Sequence, residues 1–157
     1  MFLRNIALTF LLSGLALAQT TSTTTTRNST IGPIGVGSTE TIQITVVNQA
    51  SNSSSGTAAS CTGSISFNNA TGTAIGTPTS FTVTAGQLFS ASLPFSRIAA
   101  SGTRAEVTGV VSLTTTSSSN VPCSLHYVLE TFDTATGATH AYLTGQAAGG
   151  GNQGPGR

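Results

Sequence analysis

The chain contains only two cysteines, Cys61 and Cys123, and each opens a run in which apolar and polar residues alternate. Alternation with a period of two is typical of a β-strand with one buried face. A chain exported to an oxidising compartment with a single pair of cysteines is expected to join them in a disulfide. If every connection reverses the chain direction, both cysteines lie at the same end of the fold. We therefore expect one bridge that clamps two β-layers together.

The first 18 residues have the pattern of a secretory signal peptide. Arg4 precedes an almost wholly apolar run at 6–17, and a small-residue cleavage motif ends at Ala18. A membrane-spanning helix needs about 18 or more apolar residues, so this run is too short to act as an anchor. The sequence predicts cleavage after Ala18, no integral membrane segment in the mature chain, and a secreted, periplasmic or cell-surface location.

Charged residues are scarce, at 6% of the chain, whereas an ordinary globular protein has about 25%. There is no lysine, and removal of the signal peptide leaves four arginines against four acidic residues. Nucleic-acid binding needs several cations on one face, and attachment to anionic membranes needs a similar cluster, so neither is expected. A neutral surface rich in hydroxyl groups resists association poorly. This composition favours a protein in an assembly over a freely diffusing enzyme.

Three segments follow the signal peptide. Residues 19–37 are rich in Ser and Thr and predict a flexible leader, because they bury too little apolar surface to offset their ordering entropy. Residues 38–145 predict a single folded domain, since they suffice for one core but not for two. Residues 146–157 are rich in Gly and predict a disordered tail or linker.

Within the domain, alternating runs separated by turn residues predict seven strands and a short helical turn or loop at 96–102. The predicted strands span 40–47, 61–67, 79–84, 87–93, 104–113, 123–132 and 139–143. No segment of the domain repeats apolar residues with the period of a helix. The sequence therefore predicts an all-β fold, a seven-stranded antiparallel two-sheet sandwich with one inter-sheet disulfide.

Residues 38–143 resemble the immunoglobulin-like or fibronectin-like fold, in which a disulfide joins the second and sixth strands across the sheets. Cys61 and Cys123 stand at the starts of the second and sixth predicted strands, and this placement carries the resemblance. The chain has no tryptophan to pack on the bridge, and Val121 stands where a tyrosine corner places its tyrosine. The resemblance implies an Ig-like arrangement that differs from an antibody domain, and such folds serve many functions.

Few residues are candidates for catalysis. The titratable candidates are His126, His140 and the four acidic residues. No Gly-x-Ser-x-Gly motif holds a nucleophilic serine, and a catalytic histidine needs both a nucleophile and an orienting partner. His126 is expected to be an outward-facing strand residue. The sequence predicts a non-enzymatic protein, with a small secreted hydrolase as a remote alternative.

No metal or cofactor site is predicted. His126 and Glu130 share one strand face, but four residues of strand separate them by about 13 Å, too far for one ion. His140 could approach Glu130 or Asp133 across the last hairpin, which would supply too few ligands on a solvated turn. The run 133–137 lacks the acid spacing of an EF-hand loop.

A carbohydrate-binding module is the sharper functional alternative. Platforms for sugars generally use exposed aromatic faces, and most aromatic residues of the mature chain fit inward positions. The plausible surface aromatics are Phe95, Phe132 and Tyr142. The candidate ligand surface is therefore the last hairpin, with Phe132, Tyr142 and His140.

The leading hypothesis is a secreted non-enzymatic β-sandwich module with a structural, adhesive or protein-interaction role. The signal peptide, the single bridge, the near-zero charge and the lack of a reactive cluster favour it. A strand edge at 41–47 or 139–143 could add to the sheet of a partner, and Glu40 would guard the first edge. The expected partner is a protein or a glycan at the cell surface, and an oligomer remains open.

Overall fold

The computed structural model of the chain describes residues 23–50, 60–98, 100–116 and 123–148. The predicted signal peptide, 1–18, and the tail beyond residue 148 lie outside these ranges. The described residues form eight strands and a 3₁₀ turn at Phe95–Arg97. The strands are β1 (Thr24–Gly37), β2 (Glu40–Asn48), β3 (Ser60–Asn69), β4 (Ala74–Thr84), β5 (Leu88–Pro94), β6 (Arg104–Thr116), β7 (Ser124–Asp133) and β8 (Thr139–Ala148).

The eight strands form two four-stranded antiparallel sheets. Sheet A has the order β1-β6-β3-β4, and sheet B has the order β5-β2-β7-β8. The predicted all-β, two-sheet class is confirmed. The inner faces of the two sheets form one hydrophobic core, because alternate residues of the paired strands are apolar. Ile42, Ile44 and Val46 of β2 show this pattern, and all three are fully buried.

The predicted disulfide is confirmed and links the two sheets. Cys61 lies near the start of β3 in sheet A, and Cys123 directly precedes β7 in sheet B. Their α-carbons are 5.4 Å apart, within the usual range for a bridge. Both cysteines are buried among the core residues.

The prediction of seven strands is wrong, because β1 runs through the segment predicted as a flexible leader. β1 pairs with β6 from Thr24 to Gly37, and its residues up to Asn28 are exposed on both faces. The pairing is interrupted by a bulge between Ile31 and Ile34, which shifts the alternation of apolar residues. The first half of β1 is therefore held by backbone hydrogen bonds to β6, whereas Ile31, Ile34 and Val36 of its second half belong to the core.

Two strands extend furthest beyond their predicted limits. β4 begins at Ala74, before the predicted start at residue 79, and β8 continues to Ala148, beyond the predicted domain end at 145. The first half of β4 contains a bulge, and most of its residues are exposed. Neither extension carries the alternation that predicted the central strands.

The immunoglobulin-like strand order is not confirmed. When β2 to β8 are matched in chain order to the seven strands A to G of a constant-type domain, β2 should lie beside β3 and β4 beside β7. In this fold β2 pairs with β7, and β4 pairs with β3. The bridge still joins the strands that correspond to B and F, the feature on which the resemblance rests.

Loss of the bridge should destabilise the domain substantially. The sequence separation of the two cysteines is 62, and closing such a loop stabilises a fold by about 4 kcal/mol in the chain-entropy model. The double variant Cys61→Ala, Cys123→Ala should therefore lose a free energy of unfolding of this order in denaturant titrations.

A reducing agent provides the matched control for this experiment. It should destabilise the wild-type protein to the level of the double variant and leave the double variant unchanged. Equal unfolding midpoints for the oxidised wild type and the double variant would contradict a stabilising bridge.

Candidate functional site

The outer face of sheet B carries a hydrogen-bonded ladder of polar side chains. Gln43 of β2 lies opposite Ser92 of β5 and Glu130 of β7. The Ser92 hydroxyl donates to Gln43 Oε1 at 2.7 Å, and Gln43 Nε2 donates to Glu130 Oε1 at 3.3 Å. Thr139 Oγ1 of β8 donates to Glu130 Oε2 at 3.5 Å. These four residues, the polar ladder, cross all four strands of the sheet.

Tyr142 stands beside the polar ladder. It lies directly opposite Glu130 in the β7–β8 pairing and is 68% exposed. Phe132 lies two residues beyond Glu130 on the same face of β7, opposite Thr41, and is half-buried. Sequence analysis thus placed Phe132 and Tyr142 on one hairpin, and the structure places them on one face, with Tyr142 the more accessible ring.

The His140 side chain is hydrogen-bonded within the protein and is therefore not free to bind a ligand on this face. Its Nδ1 donates to Glu40 Oε1, and Glu40 Oε2 accepts a 2.7 Å hydrogen bond from the Gly37 amide. Nearby, the Thr134 amide donates to the Thr39 carbonyl at 2.9 Å. The loop of the β7–β8 hairpin is therefore tied to the turn between β1 and β2, and His140 belongs to that tie.

Two acidic residues at this end of the sandwich are held in their charged form. The Gly37 amide and the His140 side chain lower the pKa of Glu40 below its ordinary value of 4.5, although partial burial opposes them. Hydrogen bonds from the Thr136 amide and hydroxyl, each 2.8 Å, lower the pKa of Asp133 below 3.8. Both carboxylates serve local structure, since each accepts hydrogen bonds from the turn that it caps.

His126 lies on the outer face of β7, as the alternation predicts. It sits between buried Leu125 and Tyr127 and faces Val47 of β2 and Gln146 of β8. Its Nδ1 is buried without a hydrogen-bond partner among the described residues. Within the same residues, no group of three or more His, Cys, Asp or Glu is placed to hold a metal ion.

Sequence reasoning missed Gln43 and Ser92 as members of the candidate face. Each was recognisable as an outward polar residue of a strand, but their meeting depends on the order β5-β2-β7, which brings three distant segments together. The sequence also gives no indication of a groove that the structure shows between β4 and β5.

Comparison with protein-family models, with curated proteins and with solved structures finds no match to this chain. No helix in the described part of the chain is long and apolar enough to cross a membrane.

Glu40 should make folding stability depend on pH in the acid range. Because its pKa is lowered in the folded state, its stabilising contribution is complete above about 4.5 and is lost as the pH falls through the folded-state pKa. Glu40→Gln should weaken this dependence, since the amide oxygen still accepts from Gly37 but does not titrate.

Denaturant unfolding at a series of pH values between about 6 and 2.5 measures this difference. Glu106→Gln is the matched control, because Glu106 is exposed and pairs with Arg104 at 3.3 Å on the surface. Asp133 contributes its own acid dependence in all three proteins. Identical pH profiles for the wild type and Glu40→Gln would contradict the role assigned to Glu40.

Proposed function

We propose that the chain is an exported, non-enzymatic structural module that associates with a second copy of itself through strand β8. The signal-peptide pattern at 1–18 and the Cys61–Cys123 bridge support export, because such bridges persist in oxidising compartments. The proposal follows from the edge of sheet B that β8 presents.

β8 is an edge strand whose outer side has no partner among the described residues. It pairs with β7 alone, so half of its backbone N–H and C=O groups point away from the sheet. Two large apolar residues of β8, Tyr142 and Leu143, are 68% and 40% exposed. They point to opposite faces of the strand. This exposed apolar edge is the observation that carries the proposal.

The other three sheet edges carry features that hinder strand addition. β1 is broken by a bulge at Gly32–Pro33, and β4 contains a bulge with Pro78. β5 has only seven residues and ends at Pro94. Proline and bulges are common means of blocking an edge. β8 has ten residues, Thr139–Ala148, without proline, lysine, arginine or acid.

The edge predicted at 41–47 is excluded, because β2 lies inside sheet B between β5 and β7. The predicted edge at 139–143 lies within β8 and is confirmed as a sheet edge. Its role in association is part of the proposal.

A second copy is the partner that suits this edge best. An antiparallel β8–β8 pair around a two-fold axis would place no like charges opposite each other, because His140 is the strand's only ionisable residue besides Tyr142. In a register centred on Leu143, the two Leu143 side chains would meet and Tyr142 would face Thr144 of the other copy. The two four-stranded sheets would then form one continuous sheet of eight strands.

Leu143→Lys should shift the mature protein from dimer to monomer. It removes an apolar contact and places two like charges opposite each other, so we expect the dimer dissociation constant to rise by at least about tenfold. Sedimentation equilibrium over a wide concentration range measures this constant.

Leu88→Lys is the matched control for this variant. Leu88 is 65% exposed at the opposite edge of the same sheet, on β5, so Leu88→Lys should leave the dimer intact. Circular dichroism and thermal unfolding check that both variants fold. A wild-type protein that remains monomeric at high concentration would overturn the proposal, as would equal effects of the two substitutions.

Carbohydrate binding is the second candidate function, and the position of Tyr142 favours it. An exposed aromatic ring lies directly opposite Glu130, whose carboxylate is already held by Gln43 and Thr139. An aromatic face offers apolar contact to a sugar ring, while adjacent carboxylate and amide groups can bind its hydroxyls. The outer face of sheet B around Tyr142 and Glu130 would therefore bind a neutral glycan.

Tyr142→Ala should weaken glycan binding if this second function is correct, and Tyr142→Phe should retain most of the affinity because the ring remains. Truncation of an aromatic anchor is expected to weaken affinity by at least about tenfold. A glycan array followed by calorimetric titration of any ligand found there measures the effect. An array without binding, or affinity unchanged in Tyr142→Ala, would reject the carbohydrate-binding role.

A further inference from the structure

A groove of about 370 Å³ lies between β4, an edge of sheet A, and β5, an edge of sheet B. Ile65, Phe67 and Leu93 form its apolar floor, and all three belong to the core. Thr79 lines the groove with a hydroxyl-bearing side chain, and Ser92, whose hydroxyl donates to Gln43 in the polar ladder, also borders it. This volume lies in the range of small-molecule sites, about 300–1,000 Å³.

The groove exists because the two sheets do not cover each other at this side. Between the pairs Ile65–Thr79 and Phe67–Ile75, the chain advances by two residues along β3 but by four residues along β4. This bulge includes Gly76, whose φ of 73° is readily adopted only by glycine. Thr79 faces the core side of sheet A opposite buried Ile65, yet it is exposed. The inner face of the first half of β4 is therefore open to solvent.

Arg97 supplies the only charge of the groove lining in the described residues. Pro94 ends β5, and the 3₁₀ turn Phe95–Arg97 then carries the chain past the groove. The Arg97 side chain is exposed and makes no hydrogen bond or ion pair within the described part of the chain. A guanidinium in this position can bind a carboxylate with two parallel hydrogen bonds.

No side-chain carboxylate of the chain is left to neutralise Arg97. The sequence contains four acidic residues, and the structure engages each of them elsewhere. Glu40 binds His140 and the Gly37 amide, and Glu106 pairs with Arg104. The remaining two acids are Glu130, which belongs to the polar ladder, and Asp133, which caps the hairpin loop.

We propose that the groove between β4 and β5 binds a small amphiphilic carboxylate, with its apolar body on Ile65, Phe67 and Leu93 and its carboxylate on Arg97. An apolar floor selects an aliphatic or aromatic body, and a cation without a partner in the described part of the chain selects one negative charge. The hydroxyl group of Thr79 offers a further donor to the carboxylate. Neither the dimer nor the glycan surface is needed for this site.

Three probes separate the two halves of the proposed recognition in calorimetric titrations of the mature protein. Decanoate has both an apolar body and a carboxylate, decanol has the body alone, and acetate has the carboxylate alone. Decanoate should bind, and the other two should bind at least about tenfold more weakly, since a charge-assisted hydrogen bond and the burial of apolar surface each contribute that much.

Arg97→Gln should weaken decanoate binding by about tenfold or more and leave decanol unaffected. Arg104→Gln, which removes an equal charge outside the groove, is the control and should bind decanoate normally. Thr79→Phe should fill the groove and weaken decanoate by a similar factor, and its aromatic side chain is well tolerated in a strand. Leu143→Lys, at the opposite edge of sheet B, should not change decanoate affinity.

The proposal is overturned if decanoate does not bind, or if decanol binds as tightly as decanoate. Equal decanoate affinity in the wild type and in Arg97→Gln would likewise exclude recognition by Arg97. Loss of decanoate binding in Arg104→Gln to the same extent as in Arg97→Gln would indicate a general charge effect, which also contradicts the site.

Discussion

The Cys61–Cys123 bridge fastens sheet A to sheet B at one end of the sandwich, and both cysteines belong to the core. The largest fully buried side chains are Ile, Leu and Val, with Asn48 as the exception. Asn48 lies at the end of β2 and donates through Nδ2 to the carbonyl of Val83, which is the residue paired with Cys61. A covalent bond and a buried amide therefore join the same ends of the two sheets. In a domain whose net stability is only about 5–15 kcal/mol, their combined contribution is a large share.

The central strands could be predicted from the sequence because each has one face in the core and one in solvent. Ile42, Ile44 and Val46 alternate with polar residues, and the structure buries all three. The pairing of the cysteines followed from the same alternation, since both belong to inward-facing sets. Local patterns thus specify which strands exist and which face each one buries. They also placed Tyr142 and Phe132 on the same hairpin.

Features that depend on the pairing partner could not be predicted in this way. β1 has few buried residues, and its backbone is satisfied by β6, which lies about 80 residues further along the chain. Asn48 lies just beyond the predicted strand at 40–47, although its buried amide connects the two sheets. The polar ladder required the order β5-β2-β7-β8, and no property of Gln43 or Ser92 alone indicates that they are neighbours. The groove depends on a bulge in β4 that lies between the predicted strands at 61–67 and 79–84.

The two edges of sheet B differ in a way that gives the molecule two independent surfaces. At one edge, β8 presents backbone groups that no other described strand pairs with, together with exposed Tyr142 and Leu143, and its histidine, His140, is tied to Glu40. At the other edge, β5 is short and borders an open groove beside Arg97. Because two complete strands, β2 and β7, separate these edges, a partner on β8 would leave the groove accessible. Charged residues are scarce in this chain, and each of the four acidic side chains makes its contacts elsewhere. Arg97 beside the groove therefore has no carboxylate side chain of its own chain as a partner.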